Sequence, residues 1–114
     1  MPMNMSMKMI LPAFAAFMLL AQAARAEDAS AYNIDIKNGA FTPATVEAPA
    51  GAKLKLVVRN QDDVPAEFES YKLNREQKIP AHDQTEVFVG PLDAGTYDFF
   101  DDNNPDAKGT LIVK

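Results

Sequence analysis

The chain has 114 residues, 47% of them hydrophobic, with 11 basic and 16 acidic residues and a net charge of −5. That length accommodates one domain, and the acidity disfavours nucleic acid and anionic lipid surfaces as partners. With no cysteine, disulfides, thiolate metal sites and cysteine nucleophiles are all excluded. A conventional hydrolase is disfavoured as well, because His82 is the only histidine and no Gly-x-Ser-x-Gly turn is present.

Met1 to Lys8 carry a single positive charge, Met9 to Ala21 are almost wholly apolar, and Ala24-Arg25-Ala26 has the small-x-small spacing of a signal-peptidase site. Residues 1–26 read as a cleaved secretory signal. The alternative, a membrane anchor, is the weaker reading, since the apolar run is about a dozen residues where a span needs roughly 20. Residues 27–114 then form the mature domain, with no membrane insertion after cleavage. All six methionines, Lys8 and Arg25 precede residue 27, so the mature chain keeps nine basic and 16 acidic residues, a net charge of −7 and no sulfur. A domain of this size is near the limit at which one core suffices without disulfides or metals.

Tyr32, Ile34 and Ile36 alternate with Asn33, Asp35 and Lys37, which predicts a half-buried strand, and Asn38-Gly39 turns it. Val46 follows Phe41 and Pro43. After the turn at Pro49-Ala50-Gly51, Leu54, Leu56 and Val58 recur at period two, closing with Asn60-Gln61-Asp62-Asp63. Glu67-Phe68-Glu69 alternates cleanly and predicts a strand at Phe68, whereas Lys72 to Lys78 fits strand, loop or one helical turn equally. Thr85 to Val89 predicts a strand, and the turn from Pro91 to Gly95 is expected to join it in a hairpin to the strand of Tyr97 and Phe99. Antiparallel pairing of that hairpin would bring His82 and Asn104 to one end of the domain. A last strand is expected over Thr110 to Lys114. Short strands at this spacing indicate an all-β sandwich or barrel.

Three features stand out as chemistry. Glu67 and Glu69, two apart on a strand, share a face and repel unless water screens them or a cation lies between; an ordinary solvated acidic face gives the same pattern. Asp101 falls on the face of Tyr97 and Phe99, where an unpaired carboxylate would be costly to bury, while Asp102 to Pro105 has the composition of an Asx turn. His82, beside Asp83, fits a loop histidine or a ligand. Oxygen ligands of this kind select iron, manganese or Cu(II) over Cu(I).

The ordered set Phe41-x-Pro43, Val46, Pro49-x-Gly51, Val58-x-Asn60-x-Asp62, Gly95-x-Tyr97-x-Phe99 and Gly109-x-Leu111-x-Val113 resembles the cupredoxins. The resemblance spans nearly the whole mature chain. It implies a Greek-key β-sandwich or barrel with a metal site at one end, held by the strand after the Asn-x-Asp turn and by the loop between the last two strands. Where blue-copper members carry histidine in the first segment and cysteine, histidine and methionine in the second, this chain has by position Glu67, Asp101, Asn104 and Ala107. A copper-thiolate centre is therefore excluded.

Ala66-Glu67-Phe68-Glu69 together with Tyr97-Asp98-Phe99 is similar to the cupredoxin-like periplasmic proteins of bacterial ferrous-iron uptake systems, of the EfeO and FtrB types. That resemblance implies a periplasmic protein holding an iron or copper ion (Fe2+, Fe3+ or Cu2+) through Glu67, Glu69, Asp101 and Asp102, with His82 as a fifth group. It implies oxidation or transfer of ferrous iron, with a periplasmic iron-binding protein and an inner-membrane iron permease as partners. Asp101 stands where the EfeO type commonly has cysteine, which removes a thiolate-based oxidase. A metal-free acidic interaction module on the same scaffold is the alternative.

Overall fold

The computed structural model describes residues 29–114; the expected secretory signal, residues 1–26, lies outside the described residues. Nine strands make up this part: β1 Ser30–Lys37, β2 Ala40–Thr42, β3 Thr45–Ala48, β4 Leu54–Asn60, β5 Ala66–Ser70, β6 Arg75–Ile79, β7 Gln84–Val89, β8 Gly95–Asp101 and β9 Asn104–Val113. They form two facing sheets, one ordered β2-β1-β4-β7 and the other β3-β9-β8-β5-β6. The all-β sandwich expected from the alternating sequence is what the chain adopts.

Period-two patterning places the core. Ile34 and Ile36 of β1, Leu54, Leu56 and Val58 of β4, and Val87 and Val89 of β7 face inward from the first sheet. Phe68 of β5, Phe99 of β8, and Leu111 and Val113 of β9 meet them from the second. Phe99 is the hub of an aromatic cluster. It stacks on Phe68 with centroids 5.1 Å apart and meets Phe41 edge-on at 5.0 Å. The register sets Gly109 opposite Phe99, and a Cβ at Gly109 would lie 2.3 Å from the Phe99 ring. The glycine is thus required by the ring.

Asn38 and Gly39 form the two-residue connection of β1 to β2, with φ of 53° and 72°, the conformation that an Asn-Gly hairpin turn demands. The segment whose structure the sequence left open becomes β6, antiparallel to β5. Its residues Arg75 to Lys78 are all exposed, so no apolar alternation marks it.

Two expectations are corrected. The turn from Pro91 to Gly95 does not make a hairpin: β7 pairs with β4 in the first sheet and β8 lies in the second. The segment instead crosses between sheets, with Leu92 packed on the core and its carbonyl accepting from Gly51 N at 3.0 Å. The last strand begins at Asn104 rather than Thr110. Asp101 pairs with Asn104 around a two-residue turn, Asp102-Asn103. The register then jumps to Phe100 opposite Lys108, so Pro105, Asp106 and Ala107 bulge out of the ladder.

Candidate functional site: a rim of bracketing carboxylates and an acidic outer face

One end of the sandwich is tied together by polar side chains acting on backbone. Asn60, fully buried at the end of β4, brings its Nδ2 within hydrogen-bond distance of the carbonyls of Val64 (2.8 Å), Ile79 (3.2 Å) and Pro80 (3.2 Å), while its Oδ1 accepts from Asp62 N at 3.0 Å. The Asp62 carboxylate in turn accepts from the backbone N–H groups of Asn38 (2.6 Å) and Gly39 (2.9 Å). The Asn-x-Asp motif is therefore a clamp joining three loops.

Asp101 performs the corresponding task for the last hairpin. It is inward-facing and 5% exposed, as its register predicted. Its Oδ1 accepts from Glu67 N at 2.9 Å and Asn103 N at 3.0 Å. Asp102 N donates to Glu67 O at 2.8 Å, and Asn103 Nδ2 to Pro65 O at 3.2 Å. The buried carboxylate is compensated by these two backbone donors.

A cavity of about 250 Å³ opens at this rim, lined among others by Asn60, Asp62, Ala66, Asp101, Asn103 and Asn104. Ala66 at the start of β5, which lines this cavity with Asp101, is 3% exposed, and Ala107 in the bulge is 2% exposed. Glu67, set in the histidine's place by sequence position, lies on the opposite, outer face of β5. With no thiolate, thioether or imidazole among them and Asp101 Oδ1 doubly engaged, these residues do not fit a blue-copper ion.

Glu67 and Glu69 share the outer face of the second sheet, and Phe68 between them points into the core. Glu69 lies opposite Glu76 and Glu67 opposite Lys78 in the β5–β6 ladder. The Glu67 carboxyl is held above the usual glutamate range by desolvation first, then by the negative charges of Glu76 and Asp102 and a hydrogen bond to Asp102, with Lys78 opposing. Glu69 is raised likewise, by desolvation, by the charge of Glu76 and a hydrogen bond to it, and by Asp102 and Glu67. Three of the expected residues, Glu67, Glu69 and Asp102, are thus electrostatic neighbours. Glu76, which no sequence signal singled out within the uniformly polar β6, joins them.

His82 stands elsewhere. It sits on the β6–β7 connection with φ 58°, exposed, its Nε2 2.6 Å from Asp63 Oδ1. It lies at the same end as the Asp102-Asn103 turn, but Asn60 and the β4–β5 loop make that link, not hairpin pairing. Among the described residues, no three His, Cys, Asp or Glu side chains are arranged to hold one ion together. The acidic face is a set of neighbouring carboxyls without a closed coordination sphere.

The raised carboxyls have a consequence for stability. Between the ordinary glutamate range and the raised values the folded protein binds more protons than the unfolded chain, so stability contributed by Glu67 and Glu69 is complete below that window and is lost as pH rises through it. Replacing Glu69 with glutamine is expected to raise the thermal midpoint relative to the parent at neutral pH, with the difference vanishing near about pH 4. Paired calorimetric scans across that range check it; a variant less stable than the parent at pH 7 would contradict the assigned repulsion.

The family profile of the cupredoxin-like domain matches residues 9–113, and the chain belongs to that family. An uncharacterised protein of Rickettsia prowazekii, RP394, is 40% identical over 81 residues, 70% of this chain; the chain spans 65% of that relative's length. Among solved structures, the metal-binding domain of the Cu(I)-exporting P-type ATPase CopA of Streptococcus pneumoniae D39, solved with Cu(I), superposes with a TM-score of 0.65 at 14% identity, covering 74% of this chain and 84% of that one. A purple cupredoxin from Nitrosopumilus maritimus gives 0.58 at 22% identity, covering 76% and 100%. At these identities the likeness carries the fold alone.

Proposed function

We propose that this cupredoxin-like domain is a periplasmic metal-handling protein of a ferrous-iron uptake system, and that the outer face bearing Glu67, Glu69 and Asp102 is its cation-contacting surface. The observation that carries the reading is the placement of Glu67 and Glu69 on one outer face with Glu76 directly opposite Glu69 in the ladder and Asp102 close by: neighbouring negative charges are relieved by a cation as well as by a proton. Oxygen donors of this kind suit Fe2+, Fe3+ or Cu2+. A similarly folded metal-binding domain is solved with copper, as Cu(I), which supports copper, though not its cupric state, as one candidate. Asp101 supports the site indirectly, by fixing the backbone of Glu67.

In this role the metal is cargo or substrate. Anionic oxygen contacts favour Fe3+ over Fe2+, so the face would either promote oxidation of Fe2+ by dioxygen or pass iron between an iron-binding protein and a membrane permease. The residues 1–26, with their signal-like composition, support export to the periplasm. Following Fe2+ loss together with oxygen consumption tests the oxidase arm. A rate above buffer that falls to the buffer rate in the Glu67→Gln, Glu69→Gln double variant supports it, whereas Fe2+ binding without accelerated loss reduces the protein to a carrier.

The absence, among the described residues, of three side chains set to share one ion favours a second reading. On it the domain is a metal-free interaction module that docks a basic partner through the same acidic face. Salt-sensitive binding of a basic partner with no calorimetric response to metal would select that reading.

A further inference from the structure

The β5–β8 ladder is short: Phe68 pairs with Asp101 and Glu69 with Phe100, and then β5 departs into its turn. Preceding Phe100, side chains cap the β8 backbone in place of a strand. Ser70 Oγ donates to Asp98 O at 2.7 Å and Lys72 Nζ to Thr96 O at 3.1 Å. The divergence opens a depression of about 560 Å³ on the outer face, lined by Tyr71, Lys72, Phe100 and Lys108 around the β8–β9 backbone. Tyr71 is 78% exposed and meets Phe100 with ring centroids 5.5 Å apart. Asp98, the acid in the lining, accepts from Thr110 Oγ1 at 3.3 Å.

Apolar surface and positive charge thus coincide here on a chain of net charge −5. Lys108 lies opposite Phe100, Phe100 opposite Glu69, and Glu69 opposite Glu76, so one row across four strands runs from cation through aromatic to two acids.

We propose that this depression is a docking surface for a protein partner, which seats an aromatic or aliphatic side chain against Tyr71 and Phe100 and places a carboxylate between Lys72 and Lys108. The shape argues for a protein. Sites that hold small molecules bury about 70–90% of the ligand, whereas this one is an open depression on a sheet with a protruding tyrosine, and a protein segment brings its own cover. An exposed tyrosine beside a second ring, bordered by charge, is also the composition that concentrates binding energy at interfaces. The surface is independent of the cation reading, since the lysines and rings take no part in it.

Amide shifts of the nitrogen-15-labelled protein, followed by NMR, test this with two blocked pentapeptides, Gly-Phe-Asp-Asp-Gly and Gly-Ser-Asp-Asp-Gly, and with indole-3-acetate. The phenylalanine peptide is expected to shift the amides of Tyr71, Phe100 and Lys108 at millimolar concentration. Tyr71→Ser and Lys108→Glu, both at exposed positions, should each weaken it about tenfold while leaving the thermal midpoint unchanged. No shift at those amides, equal shifts with the serine peptide, or tighter binding of indole-3-acetate than of the peptide would each overturn the docking surface.

Discussion

Truncation of Phe99 to alanine is expected to cost about 3–5 kcal/mol, the loss typical of a buried aromatic, and so to remove a large share of the domain's stability. The ring is 1% exposed, contacts Phe41 and Phe68 on two sides, and fills the space that Gly109 leaves for it. A small domain with no disulfide holds only a modest reserve of stability, roughly 5–15 kcal/mol in total for ordinary domains. Urea unfolding checks the value. A Phe99→Ala variant that keeps a cooperative transition within about 1 kcal/mol of the parent would contradict the central place of this ring.

Asp101→Ala is expected to cost about 2–4 kcal/mol, because it removes an ionised acceptor and orphans the N–H groups of Glu67 and Asn103 at the rim. For a domain of this size that lowers the thermal midpoint by roughly 10–20 °C. Asp101→Asn keeps an acceptor oxygen and should lose less than half as much. The contrast between the two variants reads the bracket itself. If alanine and asparagine were equally mild, Asp101 would not be holding the last hairpin.

The sandwich was legible because the two facing sheets impose period two on Ile34, Ile36, Leu54, Leu56 and Val58, and each such residue is buried. The inward aim of Asp101 was legible for the same reason. Its compensation was not, since backbone donors from Glu67 and Asn103 carry no sequence signature. The pairing of β7 was misread because sequence proximity to β8 suggests a hairpin, while the Greek-key crossover sends β7 to β4 in the other sheet. Strand β6 and Glu76 were hidden because Arg75 to Lys78 are polar on both faces, leaving no alternation to detect. The shared face of Glu67 and Glu69, opposite Phe68, was legible from the alternation, and the same alternation turns Ala66 rather than Glu67 inward.

The proposed role rests on the outer carboxyls, not the rim, being where a cation is held. Titration calorimetry with Cu2+ and, under anaerobic conditions, Fe2+ compares the parent with Glu69→Gln and with Asp101→Asn. Binding weakened about tenfold or more by Glu69→Gln and left intact by Asp101→Asn is the expected result. No heat of binding in the parent, or affinity that survives Glu69→Gln and disappears with Asp101→Asn, would contradict it.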